Sequence, residues 1–193
     1  MTRGGSPAIL DRSPSPPVLS RVPWSGFGGF PIHGSPSDET WMEAAVALAE
    51  EAGRAGEVPV GAVIVRAGRV VGRGRNRMRE RADPTAHAEM EAISAARVET
   101  GSARLDGDTL YVTLEPCPMC AGAIVLARLA RVVFGAWDSR LGAMGSQFDV
   151  PGAGILGEVR VRPGVLQDRC SLLLSEWFAR RRGGEASGDG GSE

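Results

Sequence analysis

Apolar residues recur with helical spacing at the start of the patterned part of the chain. The residues on this face are Trp41, Ala45, Leu48 and Ala52. Intervals of three and four residues place them along one side of an α-helix. Ser35 as N-cap, Pro36 as the first helical residue and Gly53 as the closing residue complete the predicted helix.

The pattern then changes to runs that are typical of strands. The segment PVGAVIVRAGRVVGRG (59–74) contains two such runs around a turn near Gly68 and predicts a β-hairpin. Further strands are predicted at TLYVTL (109–114), RVVFGA (131–136) and GEVRVR (157–162). The remaining helices are predicted at 85–98, 118–128 and 166–182.

After the hairpin the predicted order is helix, strand, helix, strand, strand, helix. Such an order places helices on both faces of a mixed sheet. We therefore predict an α/β fold of three layers, α/β/α, around a central mixed sheet of five strands.

Composition divides the chain into three parts. Residues 1–36 are rich in Pro, Ser and Gly without sustained periodicity, and we predict that they form a disordered extension. Residues 37–182 carry the patterned segments and form one predicted domain. The glycine-rich residues 183–193 are predicted to be a flexible tail.

Charge and cysteine content narrow the class of protein. The formal net charge is −1, whereas general electrostatic binders of nucleic acid are strongly basic. A pocket that recognises a few nucleotides stays possible. No apolar run reaches the roughly 18 residues of a membrane span, and three cysteines are too few for a disulfide-stapled secreted domain. We expect a cytoplasmic protein without membrane segments.

The segment EPCPMC places Cys117 and Cys120 at the start of a predicted helix. Both sulfurs then lie at the positive end of the helix dipole, which lowers thiol pKa values. Metal binding and thioredoxin-like redox chemistry fit this motif equally well.

His87, in the segment DPTAHAEM, favours a metal site. It lies near the start of another predicted helix, and two helix starts at one edge of a sheet would bring it to Cys117 and Cys120. One imidazole and two thiolates make three ligands of a tetrahedral zinc ion. His33 falls in the extension and Cys170 on an apolar helix face, so we expect the fourth position to be open, as in catalytic zinc sites.

Glu89 follows His87 by two residues. It is too close along the same turn to be a second ligand, but it is well placed beside a water in the open position. Zinc lowers the pKa of such a water toward about 7. We predict that Glu89 takes the proton of this water and delivers it to the substrate.

The His-x-Glu and Pro-Cys-x-x-Cys pair is the signature of zinc nucleobase deaminases. The chain also resembles the bacterial tRNA-specific adenosine deaminase family over about residues 41–182. Five segments carry this resemblance: EVPVGAVIV (57–65), GRN (74–76), DPTAHAEM (83–90), TLYVTLEPCPMCAGAI (109–124) and RVVFGAWDSRLGAMGS (131–146). The resemblance implies a cytidine deaminase-like fold, with 37–182 as a zinc-dependent deaminase domain that binds one Zn²⁺ per subunit.

The resemblance also implies an activity: hydrolytic conversion of the wobble adenosine of a tRNA anticodon to inosine. Asn76 would hydrogen-bond the flipped nucleoside, Val58, Pro59 and Ala88 would help to form its pocket, and Asp138 would lie beside the target nucleotide. Family members are homodimers, and the expected partner is the anticodon stem-loop of an arginine tRNA.

Two other functions are compatible with these residues. One is a deaminase of free guanine, cytosine or a nucleoside, which would act without RNA. The other is a non-catalytic zinc-binding module, which would need Cys170 as a fourth ligand. Trp137 stands where relatives more often carry a polar or charged residue, and it can either stack on a base or pack against the protein.

Overall fold

The computed structural model describes residues 37–154 and 158–185. Its helices are α1 (Asp38–Arg54), α2 (Ala88–Thr100), α3 (Pro118–Leu126) and α4 (Gln167–Glu185), and its strands are β1 (Gly61–Arg66), β2 (Arg69–Arg75), β3 (Thr109–Leu114), β4 (Arg131–Ala136) and β5 (Arg160–Arg162). A short 3₁₀ turn covers Pro151–Ala153. No helix in the described ranges is long and apolar enough to cross a membrane. The predicted disordered extension, 1–36, lies outside the described residues.

The five strands form one mixed sheet in the order β2-β1-β3-β4-β5. β1 is antiparallel to both β2 and β3, whereas β3, β4 and β5 are parallel. Ala67 and Gly68 connect β1 to β2, both with positive φ, as a two-residue type I′ hairpin turn requires. The mixed five-stranded sheet and the predicted turn are confirmed.

Alternate residues of the central strands face different helices. On one face, buried residues of β1, β3 and β4 pack with α2 and α3: Ala62, Ile64, Leu110, Val112, Val132 and Phe134. On the other face the intervening residues pack with α1 and α4: Val63, Val65, Tyr111 and Val133. Because side chains alternate across a strand, this arrangement gives the predicted three layers.

The helix boundaries differ from the prediction. α1 begins two residues later than expected, because Ser37, not Ser35, is its N-cap and accepts a hydrogen bond from the Thr40 amide at 3.4 Å. α1 also ends at Arg54, beyond Gly53.

Two further helix ends are set by local turns. The Asp83 carboxylate accepts from the amide and the hydroxyl of Thr85, and this turn delays α2 until Ala88. α3 ends at Leu126, and Arg128, its predicted last residue, has a left-handed φ of 64°. α4 continues to Glu185, past the predicted boundary at 182.

Two glycines of β2 allow α2 to lie directly on the strand. A Cβ at Gly74 would lie 2.1 Å from the Ala88 carbonyl oxygen, and one at Gly72 would lie 2.3 Å from that of Ala92. These neighbours are helix backbone atoms, which cannot move aside separately. The first turn of α2 is therefore held against the hairpin.

We expect Gly74→Ala to destabilise the protein by about 1–3 kcal/mol or more, since the added methyl group forces α2 away from the sheet. Gly53→Ala, in α1, is the matched control, because its Cβ would meet Pro59 at an ordinary 3.5 Å. Urea unfolding measures both changes. Equal stability of Gly74→Ala and wild type would show that this close contact is not a constraint.

Candidate active site

Three potential metal ligands meet where two helices begin. His87 is the N-cap residue of α2, Cys117 is the N-cap residue of α3, and Cys120 lies in the first turn of α3. The His87 Nδ1 atom is 3.7 Å from the Cys117 sulfur and 3.5 Å from the Cys120 sulfur. The predicted convergence of two helix starts is therefore present.

These distances and donor types fit zinc. With the usual Zn–N and Zn–S bond lengths, a tetrahedral site separates nitrogen from sulfur by about 3.5 Å. All three ligand atoms lie within 4.8 Å of one another, and no fourth side chain from the described part of the chain joins the group. Cys170 packs in the core on the opposite face of the sheet, so it does not supply a fourth ligand.

Hydrogen bonds within this group shift the pKa values of its members in different directions. Hydrogen bonding from Cys120, and then from His87, lowers the pKa of Cys117 to about 4. The hydrogen bond to Cys117, together with burial, raises the pKa of Cys120 above that of an ordinary thiol. The hydrogen bond to Cys117 also raises the pKa of His87. Without metal, Cys117 therefore loses its proton more readily than Cys120 does.

Glu89 lies in the first turn of α2 with only 4% of its surface exposed. Burial raises its pKa, and the neighbouring His87 acts in the opposite direction. The carboxyl group can therefore keep a proton at a pH at which an exposed Glu has lost it. This property suits a group that accepts and returns protons.

A cavity of about 170 Å³ opens beside these residues, far more than one water needs. His87, Glu89 and Cys117 lie in its lining, and four of the predicted substrate-binding residues do as well: Val58, Asn76, Ala88 and Asp138. Pro59, the fifth, is buried but is not part of the lining. Its Cβ faces Gly53 of α1, and the next residue, Val60, lies in the lining.

Glu57 is a buried residue that the sequence analysis did not single out. Its Oε1 atom accepts from the amides of Arg79 and Glu80, each at 2.8 Å, and its Oε2 atom from Asn76 Nδ2 at 3.4 Å. Because a carboxylate offers only acceptors, the NH₂ group of Asn76 faces Glu57. The Asn76 carbonyl oxygen is then left to accept from a ligand.

Glu115 was missed in the same way. It accepts from the amides of Asp138, Met144 and Ser146 at 3.0–3.1 Å, and from the Ser146 hydroxyl. It thereby fixes the loop that carries Asp138. The signal was an acidic residue that directly follows a buried strand, where only a hydrogen-bonded carboxylate is tolerated.

Comparison with known proteins places this site in a family. Residues 35–136 match the cytidine and deoxycytidylate deaminase zinc-binding region. The chain is 44% identical to the tRNA-specific adenosine deaminase of Bacillus subtilis over 75% of its own length and 91% of that protein. The chain belongs to the tRNA-specific adenosine deaminase family. It is therefore a deaminase with a zinc-binding domain.

Solved structures agree with this deaminase fold. A structure from a study of A-to-I editing by tRNA:A34 deaminases superposes with a TM-score of 0.67 at 43% identity, over 69% of this chain and 98% of that one. Guanine deaminase from Bacillus subtilis superposes less completely, with a TM-score of 0.52 at 42% identity, over 59% of this chain and 72% of that one.

We expect His87→Ala, Cys117→Ser and Cys120→Ser each to lose bound zinc, because each removes one of the three ligand side chains found among the described residues. Cys170→Ser is the matched control and should keep one zinc per chain. Atomic emission on the purified variants gives the stoichiometry. Loss of zinc from Cys170→Ser would instead support a structural zinc site with Cys170 as its fourth ligand.

Zinc affinity should rise with pH. The raised pKa values of Cys120 and His87 mean that protons occupy the free site and must leave when zinc binds. Each proton released makes the affinity about tenfold weaker per pH unit of acidification. Competition with a chromophoric chelator between pH 6 and 8 measures this slope. A zinc affinity that does not change with pH would contradict the raised pKa values of Cys120 and His87.

Proposed function

We propose that this protein converts adenosine to inosine at the wobble position of a tRNA anticodon, by hydrolysis with release of ammonia. The observation that carries the proposal is the meeting of His87, Cys117 and Glu89 on the wall of one cavity. The substrate is taken from the tRNA-specific adenosine deaminase of Bacillus subtilis and from the tRNA:A34 deaminase structure, which this chain covers to 91% and 98% of their lengths.

His87, Cys117 and Cys120 would hold the zinc ion. When bound, zinc supplies a water of lowered pKa as the nucleophile. Glu89 would move two protons in turn. The first passes from that water to the purine ring nitrogen as the C–O bond forms, and the second passes from the new C6 hydroxyl group to the amine, which departs as ammonia when the C–N bond breaks. Since Glu89 gives back each proton that it takes, its carboxylate is regenerated after each turnover.

Other residues of the cavity would orient the base. The carbonyl oxygen of Asn76, fixed by the contact of its NH₂ group with Glu57, would accept a hydrogen bond from the nucleoside. Val58 and Ala88 would form walls, and Asp138 would lie beside the target nucleotide. Anticodon-loop bases are already unpaired, so placing one in such a cavity costs little.

The finer parts of the proposal follow from family membership. We propose that the working form is a homodimer, that the edited RNA is an arginine tRNA, and that the reaction takes place in the cytoplasm. Sedimentation measures the oligomeric state. Comparison of several tRNA transcripts with adenosine at the wobble position shows which tRNA is edited.

The decisive experiment uses the zinc-loaded protein and an arginine tRNA transcript with adenosine at the wobble position. We expect A-to-G conversion at that single base on sequencing. Glu89→Gln should slow the reaction by about 10²–10⁴-fold, the range for loss of a general acid–base group, while keeping zinc. Glu99→Gln, on the exposed end of the same helix, is the matched control.

Two outcomes would contradict the proposal. Editing that survives Glu89→Gln would remove Glu89 from the chemistry. Turnover of free guanine or cytosine without editing of RNA would assign the protein to the free-base deaminases instead.

A further inference from the structure

Three of the seven large apolar side chains that are exposed in the described residues lie on one loop beside the cavity: Trp137 (45% exposed), Leu141 (56%) and Phe148 (53%). Leu141 also lines the cavity, so this apolar surface continues from the cavity wall onto the outside of the protein. We call residues 137–148 the rim loop.

Hydrogen bonds restrain the backbone of the rim loop. Glu115 binds three of its amides, and the Asp138 side chain accepts from the amides of Arg140 and Leu141 at 2.9 and 3.2 Å. The Gly142 amide also donates to the Asp138 carbonyl at 3.0 Å. An apolar surface on a loop restrained in this way favours binding, because the loop loses little conformational entropy when a ligand binds.

Trp137 itself is fixed along one edge. Its ring packs edge-to-face against the fully buried Phe134, with centroids 4.8 Å apart and an interplanar angle of 84°. Gly145 lies beside the ring, where a Cβ would be 3.8 Å from Trp137 Cζ3. The indole is therefore oriented, while nearly half of its surface stays open to a ligand.

We propose that Trp137 is a stacking platform for the nucleotide next to the target adenosine, with Leu141 as the apolar link between that platform and the cavity. Unpaired bases stack on aromatic side chains whatever their identity. Asp138 and Leu141 line the cavity, and Trp137 directly precedes Asp138. In the proposed complex, the neighbour of a base in the cavity would therefore lie against the indole. This inference rests on the proposed function, which supplies the RNA.

The test measures binding in a zinc-loaded Glu89→Gln background, which stops turnover. Fluorescence anisotropy gives Kd for three labelled anticodon stem-loops: intact, abasic just before the target adenosine, and abasic just after it. Trp137→Ala should bind the intact RNA about 5–150-fold more weakly, the range for loss of one base–aromatic stack. Trp137→Phe should retain most of the affinity, and Phe178→Ala, an exposed aromatic on α4, should retain all of it.

One of the abasic RNAs should abolish the difference between Trp137→Ala and its parent, because the stacked base is then already missing. Three outcomes would overturn the inference: no loss with Trp137→Ala, the same loss with all three RNAs, or a change of oligomeric state on sedimentation, which would assign the ring to a second copy of the chain. Editing by the wild type is measured separately. A base-dependent Trp137 effect without editing would support the platform and refute only the proposed function.

Discussion

The backbone contact between α2 and β2 is the constraint on which the site depends. Gly72 and Gly74 leave no room for side chains between strand and helix, so the position of the first turn of α2 is fixed by the sheet. That turn carries Glu89 and follows directly on His87. The cysteines are positioned by a short connection instead, because α3 begins four residues after β3 ends. The metal ligands and the carboxylate thus stand at helix starts that the sheet positions, as precise chemistry requires.

Two buried carboxylates fix the loops that bound the cavity. Glu57 binds the amides of the segment after β2, and Glu115 binds those of the segment after β4. Burying a charge is costly unless hydrogen bonds compensate for it, and each carboxylate receives at least three. The cavity is consequently bounded by loops whose backbone is tied to the interior, and Asn76 and Asp138 gain their orientation from these ties.

Sequence pattern predicts some of these features well for a physical reason. Strands 109–114 and 131–136 are largely apolar runs, and the structure reproduces both ranges. The convergence of His87, Cys117 and Cys120 followed from motif spacing and the order of elements. The start of α2 did not, because one side chain, Asp83, diverts the backbone through a turn before the helix. The roles of Glu57 and Glu115 were not predicted, because apolar periodicity does not identify the hydrogen-bond partners of a buried acidic residue.

The arginines next to the cavity-lining residues Asn76 and Met78 bear on how RNA would be recognised. Arg75 and Arg77 pair with Glu80, and Arg81 pairs with Glu91. Such exposed pairs are worth about 0–1 kcal/mol, so a phosphate can replace a glutamate as the partner of an arginine at little cost. The released glutamate, however, then repels the same phosphate. The net gain from backbone contacts is therefore small in a chain of net charge −1, and contacts to bases must supply more of the affinity. In the proposed function, selectivity for a single adenosine would follow from that balance, since phosphates carry no sequence information and bases do.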